Sequence, residues 1–142
     1  MSYLPEATPM GFPSPDEAPF WAACEAGELR IQRCTACGRH RHPPGPTCPA
    51  CRSEAHDWHR VLGTGAVFTY TIVHQAAHPA LRASLPYNVT VVLLDDADDV
   101  RLVSNVVDVA PEDMAIGLRV AVVWEAAGEG RNIPRFRRAD HA

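Results

Sequence analysis

Two Cys-x-x-Cys pairs constrain this chain more than any other feature: Cys34-Thr35-Ala36-Cys37 and Cys48-Pro49-Ala50-Cys51, with ten residues between them. Each pair can close into a tight knuckle, and two knuckles brought together present four soft thiolates in the tetrahedral arrangement that zinc prefers. Gly38 follows the first pair, where the backbone commonly turns with positive φ, and Pro49 sits inside the second. The pattern predicts a zinc ribbon in which Cys34, Cys37, Cys48 and Cys51 hold one structural zinc. A four-cysteine cage is closed and leaves no open position for catalysis. His40 and His42 lie close to the cage in sequence and could replace a ligand. With four cysteines already present, a loop histidine that is exposed or bonded to a carbonyl is the default.

The rest of the chain has room for one further domain. Its 142 residues, 46% of them hydrophobic, suffice for a compact core beside a small metal-stapled module. No apolar run approaches the roughly 18 residues that cross a bilayer, and Met1 to Phe12 lacks the basic and apolar regions of an export signal. A cytoplasmic location follows as the expectation, and reduced cysteines there suit a metal site better than disulfides. The remaining thiol, Cys24, lies in a predicted helix, where a small buried hydrophobe is favoured over a reactive thiol. All 13 basic residues are arginine, against 17 acidic ones. Arg30, Arg33, Arg39, Arg41, Arg52 and Arg60 surround the cysteines, Arg131, Arg135, Arg137 and Arg138 crowd the carboxyl end, and Asp95 to Asp113 is acidic. Such asymmetry allows an anionic ligand on the arginine-rich parts, beside the plainer alternative of a solvated surface.

In chain order, residues 1–13 contain three prolines and no apolar period, which predicts an irregular, mobile arm that orders against a partner. Asp16 to Gly27 reads as a short helix with Asp16 as N-cap, Pro19 in the first turn and Gly27 closing the end. Phe20, Ala23 and Cys24 share one face with Trp21 beside it. That face either packs on its own domain or docks on another subunit. Leu29 to Arg33 alternates as a ribbon strand should, and Pro43, Pro44 and Pro46 stiffen the path between the knuckles. Three parts result: an arm and helix over 1–28, a zinc ribbon over 29–55, and a second domain over 56–142 with a C-terminal tail.

That second domain reads as β. Strands are predicted over Trp58–Leu62, Gly65–His74, Tyr87–Leu94, Val100–Val109 and Leu118–Trp124, with turn signals at Gly63-Thr64-Gly65, Asp95 to Asp99 and Gly117. Gly63 and Gly65 would let one long strand bend sharply. The fold class is mainly β, with a five-stranded antiparallel OB-fold barrel favoured over a sandwich.

Catalytic signatures are lacking. The sequence contains no Gly-x-Ser-x-Gly elbow, Walker loop or Gly-x-Gly-x-x-Gly. His74 and His78 flank the long loop Gln75 to Pro86, but no carboxylate stands at a spacing that would orient either as a base. A ribbon with an OB barrel also suggests nucleic-acid binding. Few strand aromatics, a net charge of −4 and the acidic span from Asp95 to Asp113 argue against it.

The ordered set Phe20-Trp21, Cys34-Thr35-Ala36-Cys37-Gly38, His42-Pro43-Pro44, Cys48-Pro49-Ala50-Cys51, Gly63-Thr64-Gly65 with Val67-Phe68-Thr69-Tyr70-Thr71, and Ile133-Pro134-Arg135-Phe136 resembles the acyl-CoA-associated zinc-ribbon plus OB-fold family, domain of unknown function thirty-five. The resemblance covers nearly the whole chain. It implies an N-terminal helical segment, a rubredoxin-like ribbon and an OB-fold. It also implies a non-catalytic accessory subunit of thiolase-like enzymes, such as hydroxymethylglutaryl-CoA synthase or lipid-transfer-protein-like aldolases, or of MaoC-type hydratases, with lipid or steroid side-chain metabolism as a setting. The catalytic residues then belong to the partner, and no catalytic set carries over. Cys34, Cys37, Cys48 and Cys51 take the family's metal positions. Phe20 and Trp21 become the candidate enzyme-facing anchors, and Arg135, Phe136 and Arg137 candidates for contact with a CoA thioester. A solvated terminus is the alternative for those arginines.

Overall fold

A computed structural model describes residues 3–5, 8, 11–128 and 130–139. The rest of the expected arm and the last three residues lie outside the described residues.

Helix α1 spans Ala18–Glu25, with Glu17 rather than Asp16 at the N-cap. The amides of Glu17 and Ala18 both donate to the Ser14 carbonyl at 3.0 Å, and Ser14 N–H donates to Glu17 Oε2 at 2.9 Å. This preceding turn, not an aspartate side chain, starts the helix. Gly27 ends it at φ +73°, which brings Gly27 N–H to the Cys24 carbonyl and Glu28 N–H to the Ala23 carbonyl, both at 2.9 Å.

The ribbon is a three-stranded antiparallel sheet in the order β2-β1-β3, with β1 at Arg30–Cys34, β2 at His40–Arg41 and β3 at His56–Arg60. The strand expected over Trp58–Leu62 as the barrel's first is therefore the ribbon's last. Its register sets Gln32 opposite Trp58 and Arg33 opposite Asp57. The Arg33 guanidinium meets the Asp57 carboxylate through Nε at 3.1 Å and Nη2 at 2.9 Å, and that fork fits only this pairing.

The second sheet runs β6-β5-β4-β8-β9-β7. Its strands are β4 (Thr64–Val73), β5 (Tyr87–Leu94), β6 (Arg101–Ser104), β7 (Val106–Val107), β8 (Arg119–Ala127) and β9 (Arg131–Arg138). β6 and β7 are the two halves of the strand expected over 100–109, broken at Asn105. The first half pairs antiparallel with β5 and the second parallel with β9. One bent strand thus joins both ends of the sheet and closes a five-stranded OB-fold barrel, which removes its free edges.

The carboxyl end overturns one expectation. Residues 131–138 are not a tail but β9, paired with β8 from Val120↔Arg138 to Ala127↔Arg131. Gly65 permits the sharp curve of β4: a Cβ there would strike the Leu93 carbonyl of the neighbouring strand. A register shift between Val67 and Thr69 adds a bulge at Phe68.

One continuous core joins the parts. Phe20 and Cys24 of α1 and Ile31 of β1 pack in the same buried cluster as Val67, Val92, Val120 and Phe136 of the barrel. Burying Phe20 alone contributes about 2–3 kcal/mol. Inside the barrel β5 also turns polar residues inward: Asn88 and Thr90 are buried while Val89 and Val91 alternate to the outside. Asn88 Oδ1 accepts from Val106 N–H and Thr90 Oγ1, and its Nδ2 donates to the Val106 carbonyl. Asn105 Nδ2 donates to the Asn88 carbonyl, and Phe136 N–H donates to the Asn105 carbonyl at 3.0 Å. These two side chains satisfy the backbone where the bent strand interrupts its ladder.

Candidate functional site

The two knuckles repeat one backbone device. Gly38 N–H donates to the Cys34 carbonyl and Arg52 N–H to the Cys48 carbonyl, each at 2.8 Å; Cys34 and Cys48 N–H donate to the Arg39 and Ser53 carbonyls, each at 2.9 Å. Both turns need a left-handed residue, supplied by Gly38 at φ +79° and Arg52 at φ +67°. The four sulfurs then converge within 4.8 Å of one another, with Cys34–Cys51 at 3.6 Å and Cys37–Cys48 at 3.7 Å. A tetrahedron with zinc–sulfur bonds of about 2.3 Å has edges of about 3.8 Å, so the donor set fits a structural zinc.

Local electrostatics suit thiolates. The Cys37 amide, followed by that of Ala36, lowers the Cys34 thiol, and the Cys51 amide lowers Cys48 to about 6. At Cys51 the Ser53 amide pulls downward, yet the neighbouring thiols together with burial outweigh it and push the group up to about 11. Four sulfurs this close resist carrying four negative charges without a cation between them; a bound zinc supplies that charge and clasps the two knuckles.

His40 and His42 stand apart from the cage. The His40 backbone N–H and its ring Nδ1 both contact Asp98 Oδ2 at 2.8 Å, and its Nε2 lies 2.7 Å from His59 Nδ1. His42 packs on the Phe20 ring at 5.0 Å, and burial lowers its pKa. Cys24 is fully buried and its thiol is pushed up to about 12 by desolvation, as suits a small hydrophobe. His78 Nδ1 accepts from Ala80 N–H at 3.1 Å, capping a 3₁₀ turn over Pro79–Ser84, and so is occupied as a cap rather than poised as a base. His74 is exposed.

Two candidate surfaces need correction. Phe20 is 3% exposed within the chain's own core, so only Trp21 of that pair reaches the surface. Phe136 is fully buried, and the Arg135 guanidinium is 11% exposed with Nε on Glu125 Oε2 at 2.7 Å and Nη1 on Asn105 Oδ1. Strand alternation turns Pro134 and Phe136 of β9 inward; Arg135, on the opposite face, is covered by Glu125, Asn105 and the Tyr3 ring, while Arg137 and Arg138 at the strand's end stay exposed. The arm is tied to this same cluster. Tyr3 N–H donates to Glu125 Oε1, and the Tyr3 hydroxyl accepts from Asn88 N–H and Nδ2, all at 3.0 Å. No local pattern signals this arrangement, because a tyrosine in an arm and an asparagine in a strand meet only after folding.

Beside the ribbon, residues 11–13, α1 and the start of β9 enclose a cleft of about 370 Å³, lined by Phe12, Glu17, Trp21, Glu25, Arg131 and Asn132 among others. No helix among the described residues is long and apolar enough to cross a membrane.

The order of these parts, a four-cysteine ribbon between a short helix and an OB barrel, has counterparts among known proteins. Residues 21–57 match the model of the ChsH2 rubredoxin-like zinc ribbon domain, and residues 58–125 that of the ChsH2 C-terminal OB-fold domain. The chain belongs to the ChsH2 (DUF35) family. It is 32% identical over 98 residues to a DUF35 domain-containing scaffold protein of Methanocaldococcus jannaschii, covering 68% of this chain and 67% of that one. It is 41% identical over 124 residues to a probable enoyl-CoA hydratase alpha subunit of Thermomonospora curvata, covering 87% of this chain but 38% of the relative. The chain therefore spans well under half of that longer protein. Among solved structures it resembles the Ltp2-ChsH2(DUF35) aldolase at a TM-score of 0.82 and 39% identity, covering 91% of this chain and 98% of the matched one. The two matches meet between residues 57 and 58, inside β3.

Proposed function

We propose that this ChsH2-family chain is a non-catalytic accessory subunit that binds and supports a thiolase-like acyl-CoA enzyme, an Ltp2-type aldolase first among them. The observation that carries the reading is the likeness, at a TM-score of 0.82 over almost the whole matched chain, to the ChsH2(DUF35) component of an aldolase. The chemistry of this chain is consistent with it. Its cysteines are arranged for a closed cage or buried, and its most organised polar cluster, Tyr3–Glu125–Arg135–Asn105–Asn88, joins strands and arm to one another. A hydratase of the MaoC type is the second partner class, supported by the hydratase alpha subunit it resembles.

In the finer reading this subunit also touches the CoA thioester. Arg137 and Arg138 carry that role, because they are the exposed members of the arginine cluster on β9, whereas Arg135 and Phe136 are committed inside. An arginine fork recognises phosphate oxygens, as the CoA nucleotide end would require.

The test is co-expression with the Ltp2 of the solved aldolase pair, followed by size exclusion. A stable complex, with aldolase activity or solubility that depends on this chain, is the expected result. Separate elution beside an enzyme fully active alone would sink the reading.

A further inference from the structure

The cleft between residues 11–13, α1 and β9 has an unusual lining. Phe12, 91% exposed, and Trp21 form apolar walls, and Glu17 and Glu25 bring two carboxylates. The C-terminal end of α1 also points carbonyl groups this way: Asn132 Nδ2, in the lining, lies 3.2 Å from both the Cys24 and Glu25 carbonyls. No basic residue stands in the last turn to offset that negative pole. One cation, Arg131, lines the cleft among the described residues, and it is occupied: its Nη1 donates to the Gly11 carbonyl at 3.1 Å and its guanidinium lies 5.9 Å from the Phe12 ring. Among the described residues no cation pairs with Glu17 or Glu25.

We propose that this cleft seats a lysine or arginine side chain of the partner enzyme and is thereby a docking point of the subunit. The argument rests on charge complementarity and shape. A long basic side chain lays its apolar stem along aromatic walls and carries its charge to carboxylates beyond them. Trp21 and Phe12 supply the walls, and Glu17, Glu25 and the end of α1 the negative pole. A CoA phosphate meets like charge here, which separates this surface from Arg137 and Arg138 on the same strand. Aromatic residues at the centre of an interface with charges at its rim are also the composition that binding surfaces favour.

The proposal rests on the accessory-subunit reading, and its test separates the two. Binding of the Ltp2 of the solved aldolase pair is measured by calorimetry for the wild-type chain, Trp21→Ala, Glu25→Arg and Val103→Glu. Glu25 is exposed on the helix, so its variant leaves the core intact, and thermal melts of all four chains check the fold. Trp21→Ala is expected to weaken binding about tenfold or more. Glu25→Arg is expected to weaken it about tenfold at low salt, with the loss shrinking as salt rises. Val103, 66% exposed on β6, is the comparison site on the barrel's outer face and should change little. Wild-type affinity in both cleft variants, or a loss confined to Val103→Glu, overturns the cleft as docking point while leaving the accessory reading intact. No binding by the wild-type chain overturns the reading and the proposal together.

Discussion

His40 of the ribbon and Asp98 of the barrel are joined twice, the backbone N–H and the ring Nδ1 of the histidine each reaching the same carboxylate oxygen at 2.8 Å. Asp98 sits at φ +53° in the turn between β5 and β6, so a turn residue in the left-handed region carries a polar contact between the two modules, beside the Arg39–Asp99 pair at 3.2 Å. The His40 amide, then the ring, holds the Asp98 carboxyl below the usual carboxylate range.

The sign of the pH effect follows from that depression. A carboxyl with a lowered folded-state pKa contributes stability above its unfolded value of about 4 and loses it as pH falls through the folded value. Asp98→Asn keeps a residue tolerant of the left-handed turn while removing the charge. The Asp98 side chain is 47% exposed. Solvent screening therefore limits the expected loss at pH 7 to about 0.5–1 kcal/mol. Thermal melts from pH 7 to pH 2 should show the two proteins converging in acid. A constant gap across that range would show that the Asp98 charge does not carry the contact.

Loss of the metal should be felt beyond the ribbon, because Ile31 beside the knuckle shares a buried cluster with Phe136 in the barrel. Metal analysis is expected to give one zinc per chain. Cys34→Ala should abolish stoichiometric binding and lower the melting temperature of the whole domain, as would a strong chelator. An unchanged melt in the zinc-free protein would show that the cage is dispensable to the fold.

Arg52 holds the left-handed position of the second knuckle where Gly38 holds that of the first, at φ +67° against +79°. A non-glycine residue there costs about 1 kcal/mol, and its side chain is exposed. Arg52→Gly should therefore stabilise the zinc-loaded chain by up to about 1 kcal/mol, since glycine's greater unfolded-state entropy offsets part of the relief. Denaturant titration checks this, and a destabilised variant would show that the Arg52 side chain contributes contacts of its own.

Phe136 and Arg137 are neighbours with opposite fates. Phe136 is fully buried while Arg137 is exposed. Phe136→Ala should cost about 3–5 kcal/mol of stability as a core truncation. Arg137→Ala should leave the melt within about 0.5 kcal/mol of wild type and, if the CoA contact proposed above holds, weaken binding of CoA by the assembled complex. Equal binding in the Arg137 variant would remove that residue from the CoA reading.

Much of the architecture was legible because its signals are local. The spacing of Cys34, Cys37, Cys48 and Cys51 settles the cage within the span of two turns, and the alternation from Tyr87 to Leu94 marks β5. Long-range pairing was less visible. β9 carries four arginines and a proline in eight residues, which read as a solvated tail. Its partner β8 supplied the register that turned Phe136 inward. The aromatic pair at 20 and 21 divided for the same kind of reason, since helix rotation relative to the ribbon decides which ring meets His42 and which meets solvent.

Short spacings and residue types specify the metal cage, the β character of the second half and the family to which the chain belongs. The place of β3 in the ribbon, the closure of the barrel by the bent strand at Asn105, and the gathering of Glu17, Glu25 and Trp21 around one cleft emerge from the folded chain. The difference lies in the range of the forces. Turn geometry and thiolate chemistry act between near neighbours, whereas strand register and side-chain burial are fixed by residues that become neighbours only when the core forms.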